Sequence, residues 1–179
     1  MDFTDLISDR SRAVDASGIR KVFDLAADLS DPINLSIGQP DFDVPDPIKA
    51  RAVEAINLGF NSYTQTQGTA ELREAIGRML ADRAADWADG RVLITSGVSG
   101  GLLLAFMALL DPGDEVVVPD PFFVMYKHLV NLVGATPVFL PTYPDFRLDA
   151  DKLDAAITAR TKLVLINSPA NPTGKVASA

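Results

Sequence analysis

Cysteine is absent from this 179-residue sequence, which excludes a disulfide framework and any thiolate nucleophile or metal ligand. Histidine occurs once, as His128, so a cluster of imidazoles at metal-ligand spacing is excluded too, and with no Ser or Asp motif beside it this residue is expected to be structural. Basic runs are missing: 16 Lys and Arg against 24 Asp and Glu leave a formal charge of -8, and no stretch is dense enough to follow a phosphate backbone. Nucleic acid is not an expected partner. Long apolar runs are missing as well, since Leu102–Leu110 is about half of the roughly 20 residues that cross a bilayer. The first residues, Met1-Asp2-Phe3-Thr4-Asp5, lack the basic and apolar regions of a secretory leader, so a cytoplasmic protein with no membrane partner is expected. Internal repeats, low-complexity tracts and a Pro/Gly linker are not found either.

What is present is a chain that is 47% hydrophobic, enough for one substantial core. From Arg91 onward, short runs rich in Val, Ile and Leu alternate with longer amphipathic segments, the pattern of strand-helix units around a parallel sheet. Strands are predicted at Arg91–Thr95, Glu115–Pro119, Thr136–Leu140 and Lys162–Ile166. Helices are predicted between them at Ser99–Leu110, Phe122–Val133 and Ala150–Ala159. The expected architecture is an α/β fold, three-layer α/β/α with a mostly parallel sheet, preceded by a helical N-terminal segment. The first ninety residues show helical patterns at Arg12–Leu29, Pro47–Leu58 and Thr69–Arg83, with Thr69 placed to cap the last of these. Asp149, Asp151 and Asp154 gather at a helix start, where they complement its dipole rather than form an acid/base pair.

Three loops leave the carboxyl ends of predicted strands, the place where ligand crevices form in open α/β sheets. Thr95-Ser96-Gly97-Val98-Ser99-Gly100-Gly101 offers small residues and first-turn amides at a helix start, which suits a phosphate and equally suits ordinary capping. Pro119-Asp120-Pro121-Phe122-Phe123 offers aromatic faces, for stacking on a flat ring or for core packing. Asn167-Ser168-Pro169-Ala170-Asn171-Pro172-Thr173-Gly174 holds the Asn171 amide between two prolines, as a polar contact for a ring or simply as a rigid turn. Together they suit a phosphorylated aromatic cofactor.

Several motifs stand in order along nearly the whole chain: Ser17-Gly18-Ile19-Arg20, Leu35 to Phe42, Tyr63 to Gly68 leading into Glu71-Leu72-Arg73, the Ser/Gly loop, Asp111 to Val116, Pro121-Phe122-Phe123 and Asn171-Pro172-Thr173-Gly174. In these the chain resembles the N-terminal half of the class I/II aminotransferases, fold-type I enzymes that use pyridoxal 5'-phosphate. The resemblance implies a transaminase that moves an amino group between an amino acid and a 2-oxo acid. It implies that Gly97, Val98 and Ser99 bind the cofactor phosphate, that Phe123 stacks on the pyridine ring and that Asn171 bonds the 3-hydroxyl oxygen. It places Gly38 in a loop near the substrate carboxylate, and it implies a homodimer in which Tyr63 reaches the partner's cofactor phosphate. Without the family, Tyr63 reads as a packing residue.

The chain departs from the family pattern in having phenylalanine at 123, where tyrosine or tryptophan is common. The Schiff-base lysine, the aspartate that pairs with the pyridine nitrogen and two arginines have no matching motif, so no catalytic residue and no metal ligand is assigned. Lys175, near the Asn171 loop, is read as a solvated residue. The expected division is an N-terminal arm over 1–45 and the first half of the cofactor-binding domain over 46–179, a truncated portion inactive alone. A related lyase, decarboxylase or synthase on the same fold, or a non-catalytic binding or assembly remnant, are the alternatives.

Overall fold

The structure, a computed structural model, describes residues 4–14, 33, 38, 40–83 and 91–177. The chain gathers into two compact units, one of residues 1–17 and 96–179, the other of residues 18–95.

The first unit is built on β1 (Glu115–Asp120), β2 (Thr136–Pro141) and β3 (Thr161–Val164), a parallel sheet in the order β2-β1-β3. Val116, Val117 and Val118 of the central strand have no exposed surface, as expected of a parallel strand covered on both faces. Each such buried side chain contributes about 1.5–3 kcal/mol relative to exposure. Their alternation sends Val116 and Val118 toward α4 (Gly97–Leu109) and α5 (Met125–Leu132), where Phe106, Leu110, Tyr126, Leu129 and Val130 complete the core. Glu115 and Val117 face the other side. There α6 (Ala150–Ala156) packs on β2, and Thr158 and Arg160, just beyond it, bond Glu115. The result is the expected sandwich of helices on both faces of a parallel sheet. Near its N-terminus the chain makes a 3-10 turn, Thr4–Leu6, and α1 (Asp9–Arg12), whose Arg10 Nη1 donates to the Leu132 carbonyl at 3.4 Å.

The second unit carries α2 (Asp46–Asn57) and α3 (Ala70–Ala81). Thr69 caps α3 as predicted, accepting from the Leu72 amide at 3.4 Å. Gly68, one residue earlier, has φ +97°, and a Cβ there would lie 2.8 Å from the Cβ of Ile94, so both conformation and space demand glycine. Residues 15–29 of the helix expected over Arg12–Leu29, the Ser17–Arg20 motif, and Leu35, Ser36, Ile37 and Gln39 of the Leu35–Phe42 motif lie outside the described residues.

Several boundaries differ from the sequence expectation. Arg91–Thr95 is not a strand: the Ile94 amide bonds the Gln67 carbonyl of the neighbouring loop at 3.0 Å, and no strand lies alongside among the described residues. A β-rich run becomes a strand only when a partner completes its ladder. Helix α5 begins three residues later than Phe122, because after Pro121 the two phenylalanines turn to separate ring partners. Helix α6 stops at Ala156, where the Thr158 and Thr161 hydroxyls bond the amides of Arg160 and Thr158 in place of helical carbonyls. The last strand ends at Val164, although the Leu165 amide still reaches the Val117 carbonyl at 2.9 Å.

Candidate functional site

The chain runs from β1 outward to β2 and then returns to the far side of β1 for β3, so the direction of winding reverses between β1 and β3. Ligand crevices of doubly wound sheets open at the carboxyl ends of strands at such a point. A cavity of about 520 Å³ lies there, lined by Pro121 and Phe122 after β1, Thr142, Phe146 and Arg147 after β2, and Asn167, Asn171 and Thr173 after β3.

Each loop is held by bonds of its own. The Thr142 amide and hydroxyl both donate to the Asp120 carbonyl, at 3.0 and 2.8 Å, tying the end of β2 to the end of β1. The Asn167 side chain accepts from the Asn171 amide at 2.9 Å, and the Gly174 amide donates to the Ala170 carbonyl at 2.7 Å. Asn167 thus spends its side-chain oxygen on shaping the loop, and Asn171 is among the residues that line the cavity. The Phe122 ring stacks on Phe139 with centroids 5.0 Å apart and planes 10° from parallel, which fixes it as one wall. Tyr126 lines the floor, and burial pushes its hydroxyl above the usual tyrosine range, so it stays protonated and able to donate.

Of the residues singled out from sequence, Asn171 lies in this cavity. Phe123 does not line it; its half-buried ring meets Tyr126 edge-on at 5.8 Å, and Phe122 is the aromatic that faces the cavity. Gly97, Val98 and Ser99 form the first turn of α4 in the same unit, outside the lining. Gly97 has φ +69° with open space where a Cβ would stand, Val98 is exposed, and the Ser96 side chain makes no cap bond. Tyr63 and Gly38 belong to the other unit, where both are exposed. That unit has a separate cleft along α3, lined by Gln67 and Arg73 of the quoted motifs but by neither Tyr63 nor Gly38. His128 is 3% exposed, and neither ring nitrogen has a hydrogen-bond partner, so the sole histidine is a core residue.

Sequence reasoning missed the loop after β2, which brings Thr142, Phe146 and Arg147. The same rule that selected the other loops would have found it, since it too leaves the carboxyl end of a predicted strand.

The family model for aminotransferase class I and II matches residues 30–179. The chain belongs to this family. It is 44% identical to an aspartate aminotransferase of Pyrococcus abyssi over 95% of its own length and 45% of that protein. It is 41% identical to aromatic-amino-acid aminotransferase 2 of Thermococcus litoralis, again over 95% of this chain and 45% of the relative. The crystal structure of Pyrococcus protein-A1 superposes with a TM-score of 0.89 at 42% identity, covering 95% of this chain and 45% of that one. The chain therefore spans somewhat less than half the length of the aminotransferases it matches. No helix among the described residues is long and apolar enough to cross a membrane.

Proposed function

We propose that this protein serves a pyridoxal 5'-phosphate-dependent aminotransferase, moving an amino group between an amino acid and a 2-oxo acid, as a cytoplasmic homodimer in amino acid metabolism. The observation that carries the reading is Asn171 in a cavity at the winding reversal that Phe122 also lines, in a chain of this family. The cavity suits a flat ring with polar substituents: an aromatic wall, two side-chain amides and the hydroxyls of Thr142 and Thr173. In this reading Asn171 holds the ring's 3-hydroxyl oxygen and Phe123, by family position, or Phe122, by its place in the cavity, supplies the stacking face. Gly97, Val98 and Ser99 take the phosphate on the first-turn amides of α4, where the aligned peptide dipoles favour an anion and Gly97 leaves room for it. The bound cofactor supplies the electron sink that lets a proton leave the amino acid's α-carbon.

Gly38 lies near the substrate carboxylate in this reading. Tyr63, with a relative exposure of 106%, is free to reach a second protomer. The six lysines, Lys21, Lys49, Lys127, Lys152, Lys162 and Lys175, are not in the setting that marks the covalent anchor, so the 179-residue chain alone binds the cofactor reversibly and does not turn over. Residues 1–45 act as an arm and 46–179 as the first part of the cofactor-binding domain.

Absorbance titration with pyridoxal phosphate, followed by borohydride reduction and mass mapping, tests this. The expected result is reversible binding, weakened at least tenfold by Asn171→Ala, with no stoichiometric lysine adduct. Equal binding by wild type and Asn171→Ala would remove the site from this cavity, and a single fully reduced lysine would show that the anchor lies within the chain.

A further inference from the structure

The cleft along α3 has no part in the transaminase reading, yet it is lined by two arginines. Ala70, Arg73, Glu74 and Gly77 stand at i, i+3, i+4 and i+7 of the helix and so share one face; with Arg91 and Val92 they line a space of about 630 Å³. The small residues at the two ends of that row leave room over the helix, and a Cβ on Gly77 would meet nothing within 4 Å. Neither guanidinium has a carboxylate partner among the described residues. Arg73 is half-buried, and its Nε and Nη2 donate to the Gly68 carbonyl and to the Gln65 side-chain oxygen, both at 3.2 Å. These two neutral acceptors fix the plane of the fork and leave its charge without an ion pair. Arg91, from a separate segment, makes no hydrogen bond or ion pair among the described residues. Glu74 reaches only Arg78, in a loose contact of 3.9 Å between two exposed side chains.

We propose that this cleft binds inorganic phosphate in its hydrogen-bearing form, with Arg73 and Arg91 donating to its oxygens and Glu74 accepting from its hydroxyl. A guanidinium presents planar, paired donors that match an oxoanion, and one already held in plane by neutral acceptors loses little freedom on binding. An ionised carboxylate only accepts hydrogen bonds, so beside the arginines it repels an anion that carries no proton and bonds one that does. Inorganic phosphate keeps at least one hydroxyl at neutral pH, whereas sulfate keeps none. The carboxylate therefore turns a general anion cleft into one selective for phosphate. All of these residues belong to the unit of residues 18–95, apart from the first turn of α4 that the transaminase reading gives to the cofactor phosphate.

Calorimetric titration of the 179-residue chain at pH 7, with inorganic phosphate and with sulfate at constant ionic strength, tests the site. Phosphate is expected to bind more tightly than sulfate, and to weaken about tenfold in Arg91→Gln, the loss of one charge-assisted bond. Gly77→Asp, which adds a carboxylate in open space and removes no bond of either arginine, should weaken phosphate by a similar factor. Glu74→Gln should erase the preference for phosphate over sulfate. Arg51→Gln, at an exposed arginine of α2 outside the lining, should change nothing. Phenylglyoxal modification with mass mapping reads the place directly: phosphate is expected to protect Arg91 and leave Arg51 reactive. The proposal is overturned by any of four results: no phosphate binding, sulfate bound as tightly as phosphate, equal loss in Arg51→Gln, or phosphate binding that persists in Arg91→Gln and Gly77→Asp. The last of these would put the ion elsewhere, the first turn of α4 included.

Discussion

His128 shows how a single residue can be misplaced for stability and still be tolerated. Its ring is 3% exposed and both nitrogens lack partners, so it bears the cost of desolvation without a compensating bond. Replacing it by leucine, similar in volume, is expected to raise unfolding stability by about 1 kcal/mol in denaturant titration; a loss of that size would mean the imidazole has a partner in solution. Glu115 is the opposite case. It is 5% exposed and accepts from Thr158 Oγ1 at 2.6 Å and from Arg160 Nε and Nη2 at 2.8 and 2.5 Å. The Thr158 hydroxyl first, and the Arg160 guanidinium next, hold its carboxyl below the ordinary 4.5. A group lowered on folding stabilises above its unfolded pKa and loses that contribution as pH falls through the folded value. The stability gap between wild type and Glu115→Gln should therefore narrow as pH drops below about 4.5. Denaturation curves from pH 7 to 3 check this, and a gap independent of pH would contradict it.

Among the elements, the sheet strands and the central helix were legible because their signals are local and strong. Glu115–Asp120 is almost continuously buried, and Gly97–Leu109 is apolar around most of its circumference. Truncation of Phe106, the helix residue that anchors the core, is expected to cost about 3–5 kcal/mol. A cost below 1 kcal/mol in Phe106→Ala would place the core elsewhere. Arg91–Thr95 shows the limit: its composition is that of a strand, but pairing requires a neighbour that composition does not supply. The turn at Gly68 depends on the same segment. Gly68→Ala would force a Cβ against Ile94 at φ +97° and is expected to destabilise by about 1–3 kcal/mol, partly recovered in combination with Ile94→Ala. Full additivity of the two substitutions would show that the close approach is not felt in solution.

For the whole molecule, the parallel sheet ends on both sides in strands whose outer edges are unpaired among the described residues, and large apolar side chains such as Leu104, Met107, Phe42 and Phe60 are exposed. Open edges and apolar patches of this kind seek partners. Sedimentation of the 179-residue chain is expected to show concentration-dependent association, and a monodisperse monomer that unfolds cooperatively would refute that. The sequence alone determined the α/β class, three parallel strands and the family, because burial patterns and spaced motifs are written residue by residue. Only the tertiary structure decided that the loop after β2 joins the cavity and that Phe122 rather than Phe123 faces it. Those facts depend on strand order and on which way a turn directs its side chains, and neither is a property of any one stretch of sequence.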